Sequence, residues 1–476
     1  MDIKRQTVRK GNCLLVSYFF ILAFHINLRE NRGGYMHYYG TSSVNEAGHL
    51  EIGGVDTVRI VEEFGTPVYV YDVALIRERA RGFKDTFAKR GIPAQVAYAS
   101  KAFSTIAMVQ LANEEGLSLD VVSGGELYTA ITAGFPMERI HFHGNNKSRE
   151  ELLMAIEHKI GCIVVDNFYE LALLQELCEQ NHSKMPILLR VTPGIEAHTH
   201  DYILTGQEDS KFGFGLQNGQ AEEAILKAME SENLELLGLH CHIGSQIFET
   251  TGFVLAAKKI IGQLYKWKQA FGFESKVLNL GGGFGIRYTN EDQPIQPSEY
   301  VEEIITEVEK NMNQFGMSMP EIWIEPGRSL VGDAGTTLYK IGSRKEVPEV
   351  RQYLAIDGGM TDNIRPALYD AKYEAVLANK PLVEAEETVS IAGKCCESGD
   401  MLIWDLPLPK AGEQDILAVF CTGAYGYSMA NNYNRIPRPP VVFVENKEAV
   451  LVVKRETYED IVRLDLPLKE KASVNK

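Results

Sequence analysis

Four kinds of chemistry-bearing residue stand at the ends of apolar runs in this sequence. Lys101 follows Ala94–Ala99 within Tyr98-Ala99-Ser100-Lys101-Ala102. A lysine at a strand end is ordinarily a solvated surface group. Here small and apolar flanks would strip water from the amine, lower its pKa and favour a Schiff base. Glu325 follows Ile322-Trp323-Ile324, an acid at the mouth of a buried run that could keep a ring nitrogen protonated. Gly281, Gly282 and Gly283 let backbone N–H groups approach an anion closely, although a tight turn needing positive φ would use the same glycines. Ile286 occupies the third glycine position of GxGxxG, so a dinucleotide reading is weak. Gly327-Arg328 on the next run favours phosphate. An imine lysine, an acid for a pyridinium and glycines for a phosphate together describe pyridoxal phosphate.

Elements must bring these groups together. Strand-like runs occur at Ala94–Ala99, Ser118–Val122, Arg139–Phe142, Cys162–Asp166, Ile187–Val191, Leu236–His240, Val277–Leu280 and Ile322–Glu325. Amphipathic stretches of helix length separate them, among them Ser104–Glu115, Ser148–His158, Asn167–Gln180 and Ser298–Phe315. Ser104 and Ser148 stand at N-cap positions, and Glu151 completes a capping box with Ser148. Eight strands alternating with helices predict a (β/α)8 barrel of the TIM type. In such a barrel chemistry sits at the C-terminal strand ends, and loops seven and eight commonly cradle phosphate. The clusters His143-Gly144-Asn145-Asn146-Lys147 and His240-Cys241-His242-Ile243-Gly244-Ser245 fall on that same rim.

Beyond Gly332 short apolar runs divided by turn residues predict a second, mostly β domain. The expected division is an N-terminal extension at 1–35, a segment at 36–70 packing with the β domain, the barrel at 71–331 and the β domain at 332–476. Residues 1–10 are basic and 13–26 apolar, as in a signal peptide, but no small-residue cleavage site follows. The preferred expectation is a translation start at Met36.

Composition narrows the class. The 476 residues are 45% hydrophobic and 24% charged, as in a soluble globular chain of two or three domains. A net charge of −16 argues against sequence-blind nucleic-acid binding, and no membrane partner is expected. Seven cysteines without CxxC pairs fit a reduced, cytoplasmic chain better than a disulfide framework.

The sequence resembles the bacterial diaminopimelate decarboxylases, among the alanine racemase-like, fold-type III pyridoxal phosphate enzymes. The resemblance begins near Met36 and rests on YASKA (98–102), DVVSGGEL (120–127), HGNNKS (143–148), AHTH (197–200), HCHIGSQ (240–246), GGGFG (281–285), EPGR (325–328), DGGMTDNIRPALY (357–369), CCESGD (395–400) and GAYGYSMANNYN (423–434). It implies a Greek-key-like C-terminal barrel and decarboxylation of meso-2,6-diaminopimelate to L-lysine and CO2, the last step of lysine biosynthesis. It further implies that Lys101 carries the cofactor, that His242 stacks on its ring and that Glu325 pairs with the ring nitrogen. Ser245, Gly281, Gly282, Gly283, Pro326, Gly327, Arg328 and Tyr425 would surround the phosphate. Arg328, Arg365, Tyr369 and Tyr425 would contact substrate carboxylates. Cys396 and Glu397 would enter from the second subunit of a homodimer with shared active sites.

Charge favours this substrate within the family. A guanidinium at Arg365 suits a second carboxylate, whereas a substrate with a distal amine would want an acid. Ornithine, arginine and carboxynorspermidine decarboxylases are the nearest rivals. Glu325 argues against a racemase, which in this fold type tends to place Arg there. An inactive regulator would be expected to lose Lys101, Cys396 or the glycines. Either Cys396 or Lys101 could reprotonate Cα. No metal is expected, because His198, His200, His240, His242 and the cysteines match no common closed zinc set. His198 and His200 read as loop residues near the entrance or as solvated groups.

Overall fold

The computed structural model describes residues 38–195 and 210–468. The expectations for 1–35, for Met36 and for His198 and His200 lie outside them. The described residues make one compact unit.

Eight parallel strands close on themselves in chain order: Ala94–Ala99, Ser118–Val121, Ile140–Phe142, Cys162–Val165, Met185–Thr192, Leu234–His240, Val277–Asn279 and Glu321–Ile324. The eighth returns to the first through Ile322↔Ala94 and Ile324↔Val96. Each strand lies within a residue or two of the run that foretold it. The barrel class is therefore as expected.

Helices wrap the outside because their apolar residues recur at helical spacing. Pro297–Phe315 buries Tyr300, Val301, Ile304, Ile305, Val308 and Met312 on one side. Each such side chain contributes about 1.5–3 kcal/mol when removed from water. Ser148 caps Arg149–Glu157 in a full capping box with Glu151, as expected. The other cap is corrected: Thr105, not Ser104, accepts from the Met108 N–H and starts the helix Ile106–Glu114. The cap must sit directly before the first helical residue, and Ser104 is one position too early.

Strand periodicity builds the lumen. Side chains two apart share a face. The lower layer is apolar, with Cys162, Val164, Leu188, Val277 and Trp323 in one cluster. Above it His141 stacks on Trp323 at 4.2 Å and meets Gln95 at 3.1 Å, and Ser118 donates to the same Gln95 oxygen at 2.7 Å. One further step of two along the other seven strands reaches Asp120, His143, Asp166, Arg190, His240, Asn279 and Glu325. The polar rim is the top layer of a lumen whose floor is packed shut.

The C-terminal part is a sheet built on Gly335–Val347, Arg351–Ile356, Glu387–Ala392, Met401–Leu408, Ile416–Val419, Val441–Glu445 and Glu448–Val453. The short strand Ala375–Leu377, too brief to show a period, adds to it. Val68–Asp72, from before the barrel, pairs antiparallel with Gly335–Leu338 and parallel with Val441–Val444. Among the described residues no helix is long and apolar enough to cross a membrane.

Candidate active site

Glu325 is the centre of the rim. It is buried, and its Oε2 lies 3.1 Å from His240 Nε2. Its Oε1 accepts from Asn279 Nδ2 at 2.6 Å and lies 3.1 Å from His143 Nε2. His143 in turn stands 3.7 Å from Asp120 Oδ1. Burial alone would push the Glu325 carboxyl up, but His143 and His240 outweigh it and hold the group well below the usual carboxylate range. Asp120 goes the other way, to about 6, through burial that His143 only partly offsets and through the neighbouring Glu325 charge. The donor atoms of His143, His240 and Glu325 all lie within 4.8 Å of one another.

Lys101 stands in a short helical turn directly after the first barrel strand. It is accessible to solvent although protein surrounds it closely. The expectation of a lowered pKa is corrected. Burial does pull the ammonium down, yet Tyr425, Asp120 and Glu325 overcome it, against Arg190, and raise it. Sequence neighbours suggested the wrong sign because the groups that decide it face Lys101 from other barrel strands and, for Tyr425, from a loop of the C-terminal part.

The glycine run forms as a cradle. Gly281 and Gly283 adopt φ of 70° and 109°, and a Cβ at Gly281, Gly282 or Gly283 would strike the carbonyl oxygen of Cys241, Glu325 or Gly244. The Gly281 N–H donates to Asn279 Oδ1 at 2.9 Å, and the Gly282 N–H to His242 Nδ1 at 3.2 Å. Burial, with Lys101 and Arg190 nearby, pushes His242 well below the usual histidine range, so the ring is neutral. The Pro326 carbonyl accepts from the Ala99 N–H at 3.1 Å and ties the eighth strand to the first, which sets Gly327 against Ala99.

Arg328 donates to Ser245 Oγ at 3.1 Å and to the Tyr288 hydroxyl, while its buried Nε has no hydrogen-bond partner among the described residues. Arg365 donates to the Tyr373 hydroxyl at 3.0 Å. The Arg365 guanidinium carbon lies 5.6 Å from the Tyr369 ring and 5.7 Å from the Tyr425 ring. Cys396 and Glu397 are exposed on a loop of the C-terminal part. The Cys396 N–H bonds Asn434 Oδ1, and Glu397 accepts from the Gly399 N–H in its own loop. These contacts do not reach the Lys101 cluster.

His143 and His240 were expected on this rim without an assigned role, whereas Asp120, Arg190, Asn279, Tyr288 and Tyr373 were not among the expected site residues. The signal for three of these was present: Asp120, Arg190 and Asn279 are each a polar side chain two residues along the strand from another lumen position, as Asn279 is from Val277. A pyridoxal phosphate fits what is there. The site offers an amine, an ionised acid facing the lumen, a glycine cradle and an unpaired buried guanidinium nitrogen.

Residues 73–332 match the family model for the pyridoxal-binding domain of pyridoxal-dependent decarboxylases. A diaminopimelate decarboxylase of Bacillus methanolicus is 76% identical over 421 residues, 88% of this chain and 98% of the relative. That of Bacillus subtilis (strain 168) is 71% identical over 434 residues, 91% and 99%. The crystal structure of diaminopimelate decarboxylase from M. jannaschii in complex with L-lysine has a TM-score of 0.84 at 36% identity, covering 90% of this chain and 98% of that one. A lysine/ornithine decarboxylase from Vibrio vulnificus, at 21% identity and a TM-score of 0.70, shares the fold.

Proposed function

The chain belongs to the diaminopimelate decarboxylase family of pyridoxal-dependent decarboxylases, and from that premise we propose how its side chains divide the reaction. It is a pyridoxal phosphate-dependent carboxy-lyase that converts diaminopimelate to lysine and CO2. The meso stereoisomer is the proposed substrate, decarboxylated at its D-configured centre to give L-lysine.

Bound pyridoxal phosphate supplies the electron sink for the pair released when the Cα–carboxylate bond breaks. Lys101 holds the cofactor through its amine, and it must first pass on the proton that Tyr425, Asp120 and Glu325 favour. Glu325 presents an ionised carboxylate that keeps a proton on the ring nitrogen. His242, neutral and oriented by the Gly282 N–H, offers a flat face. Gly281, Gly282, Gly283, Ser245, Pro326, Gly327, Arg328 and Tyr425 hold the phosphate end. Arg328, Arg365, Tyr369 and Tyr425 bind substrate carboxylates. Cys396 or Lys101 protonates Cα.

The observation that carries the substrate reading is the gathering of two guanidiniums around one aromatic ring. Arg328 and Arg365 lie 4.9 and 5.7 Å from Tyr425. A substrate with carboxylates at both ends satisfies two cations where ornithine satisfies one. The exposure of Cys396 and Glu397 supports their use by a second copy, in a homodimer with shared sites.

Visible absorbance and CO2 release test this together, with meso-diaminopimelate, L-ornithine and L-arginine as substrates. A cofactor band lost in Lys101→Ala, with CO2 from meso-diaminopimelate alone, is expected. CO2 from ornithine or arginine instead would sink the role of Arg365. No band after cofactor addition would sink the mechanism.

A further inference from the structure

We propose that His240 and Asn279 are positioning residues that pin Glu325 as an ionised acceptor, and that Asn279 couples it to the glycine cradle. The proposal rests on the reading that Glu325 serves the ring nitrogen. It starts from which partners donate.

Asn279 is wholly buried, and its amide has one workable orientation. Its Oδ1 accepts the Gly281 N–H at 2.9 Å, so its Nδ2 must face Glu325 Oε1, at 2.6 Å. Flipping the amide would set N–H against N–H at one end and oxygen against carboxylate at the other. The backbone repeats the link, since the Glu325 N–H donates to the Gly281 carbonyl at 2.9 Å. One side chain thus joins the ends of the site that are read as meeting ring nitrogen and phosphate.

His240 supplies the second donor. Its Nε2 meets Glu325 Oε2 at 3.1 Å, while its buried Nδ1 has no hydrogen-bond partner among the described residues. A second ring proton would be orphaned there, so the neutral tautomer with hydrogen on Nε2 is the one the site accommodates. Burial lowers the His240 pKa in the same sense. Both aligned neighbours therefore offer N–H to the carboxylate. A protonated Glu325 would set O–H against N–H and lose one of them. The other charged or titratable groups around Glu325 are His143, Asp120, Lys101, Arg190, His141, His242, Cys162 and Cys241 among the described residues, and Asp120 opposes the arrangement by raising the local negative charge.

A double-mutant cycle tests this on the full-length protein. His240→Leu is expected to lower kcat and weaken pyridoxal phosphate binding to the apo-protein, each on the order of tenfold or more, as for a lost hydrogen bond to a charged group. KM for meso-diaminopimelate should stay near wild type. His240→Gln keeps an N–H donor and should rescue both quantities. Asn279→Asp sets a carboxylate against a carboxylate and should cost most in cofactor affinity. In a Glu325→Gln background His240→Leu should add nothing. Additive losses in that background, or unchanged kcat and cofactor affinity in His240→Leu and Asn279→Asp, would overturn the proposal. Unchanged values in Glu325→Gln alone would instead overturn the reading of Glu325. Melting curves of each variant exclude loss of fold as the cause.

Discussion

The Arg328 guanidinium lies 4.9 Å over the ring of Tyr425. Tyr425 is held there by an unusual backbone: its φ is +60°, and its N–H donates at 2.8 Å to the carbonyl of Ala102, the residue after Lys101. The ring that two arginines share is thereby fastened to the lysine turn.

Tyr425→Leu keeps the bulk of that position and loses the aromatic face. A cation–π contact contributes about 0.5–2 kcal/mol. We expect KM for meso-diaminopimelate to rise between a few-fold and about thirtyfold, which steady-state kinetics would read. Tyr425→Phe should recover most of that loss. Equal KM values for Leu and Phe would show that the ring face contributes nothing.

Lys147 and Glu170 form a buried ion pair at 2.7 Å, with the remaining Lys147 donors on the Gly144 and Val164 carbonyls, 2.8 Å each. Removing one partner strands a charge in the interior, at a cost of about 3–5 kcal/mol. Lys147→Met should show this in urea denaturation, and Lys147→Met with Glu170→Leu should recover a large part. A single variant as stable as wild type would refute the prediction.

Asp362 offers a pH test of stability. Burial first, with Asp400 nearby, raises its carboxyl to about 7, although Tyr339, the Gly359 N–H and Thr361 pull it down. The folded chain therefore binds a proton that the unfolded chain has released above about 4. Asp362 should contribute full stability below about 4 and lose it as pH rises through about 7. Melting temperatures at pH 5 and 8 should fall less in Asp362→Asn than in wild type. An identical fall in both would contradict it.

The proposed sharing of active sites between two subunits predicts complementation. With Cys396 as the group that protonates Cα, Lys101→Ala and Cys396→Ala should each be inactive alone. Mixed, dissociated and reassociated, they should regain partial activity, because some dimers then hold one intact site. No recovery, despite subunit exchange shown by mass, would place Cys396 with its own chain's Lys101.

Much of this was legible in the sequence, for physical reasons that differ by element. The barrel strands were visible because strands buried on both faces read as continuous apolar runs, and Ile322-Trp323-Ile324 is one. Ser148 was visible because the capping box is local. Ser104 failed because Ser and Thr stand side by side, and only the helix start decides between them. The direction of the Lys101 shift failed for a related reason: Asp120, Glu325 and Tyr425 are distant in sequence and come near only when the barrel closes and the C-terminal part packs on it. Asn279 and Arg190 were hidden inside apolar runs, where a single polar letter reads as an interruption until strand parity is counted.

The pairing of Val68–Asp72 with both Gly335–Leu338 and Val441–Val444 has a consequence for synthesis. On the ribosome the barrel strands emerge first and can close while the later sheet is still unmade. Val68–Asp72 must then wait, unpaired and wholly apolar but for Asp72 and its tyrosine hydroxyls, until Gly335–Leu338 follows the last barrel strand, and it lacks its second neighbour until Val441–Val444 is released. Such an edge invites wrong partners during that interval. Truncation after the barrel would make the wait permanent, so a nascent chain cut short should aggregate rather than persist as a free barrel.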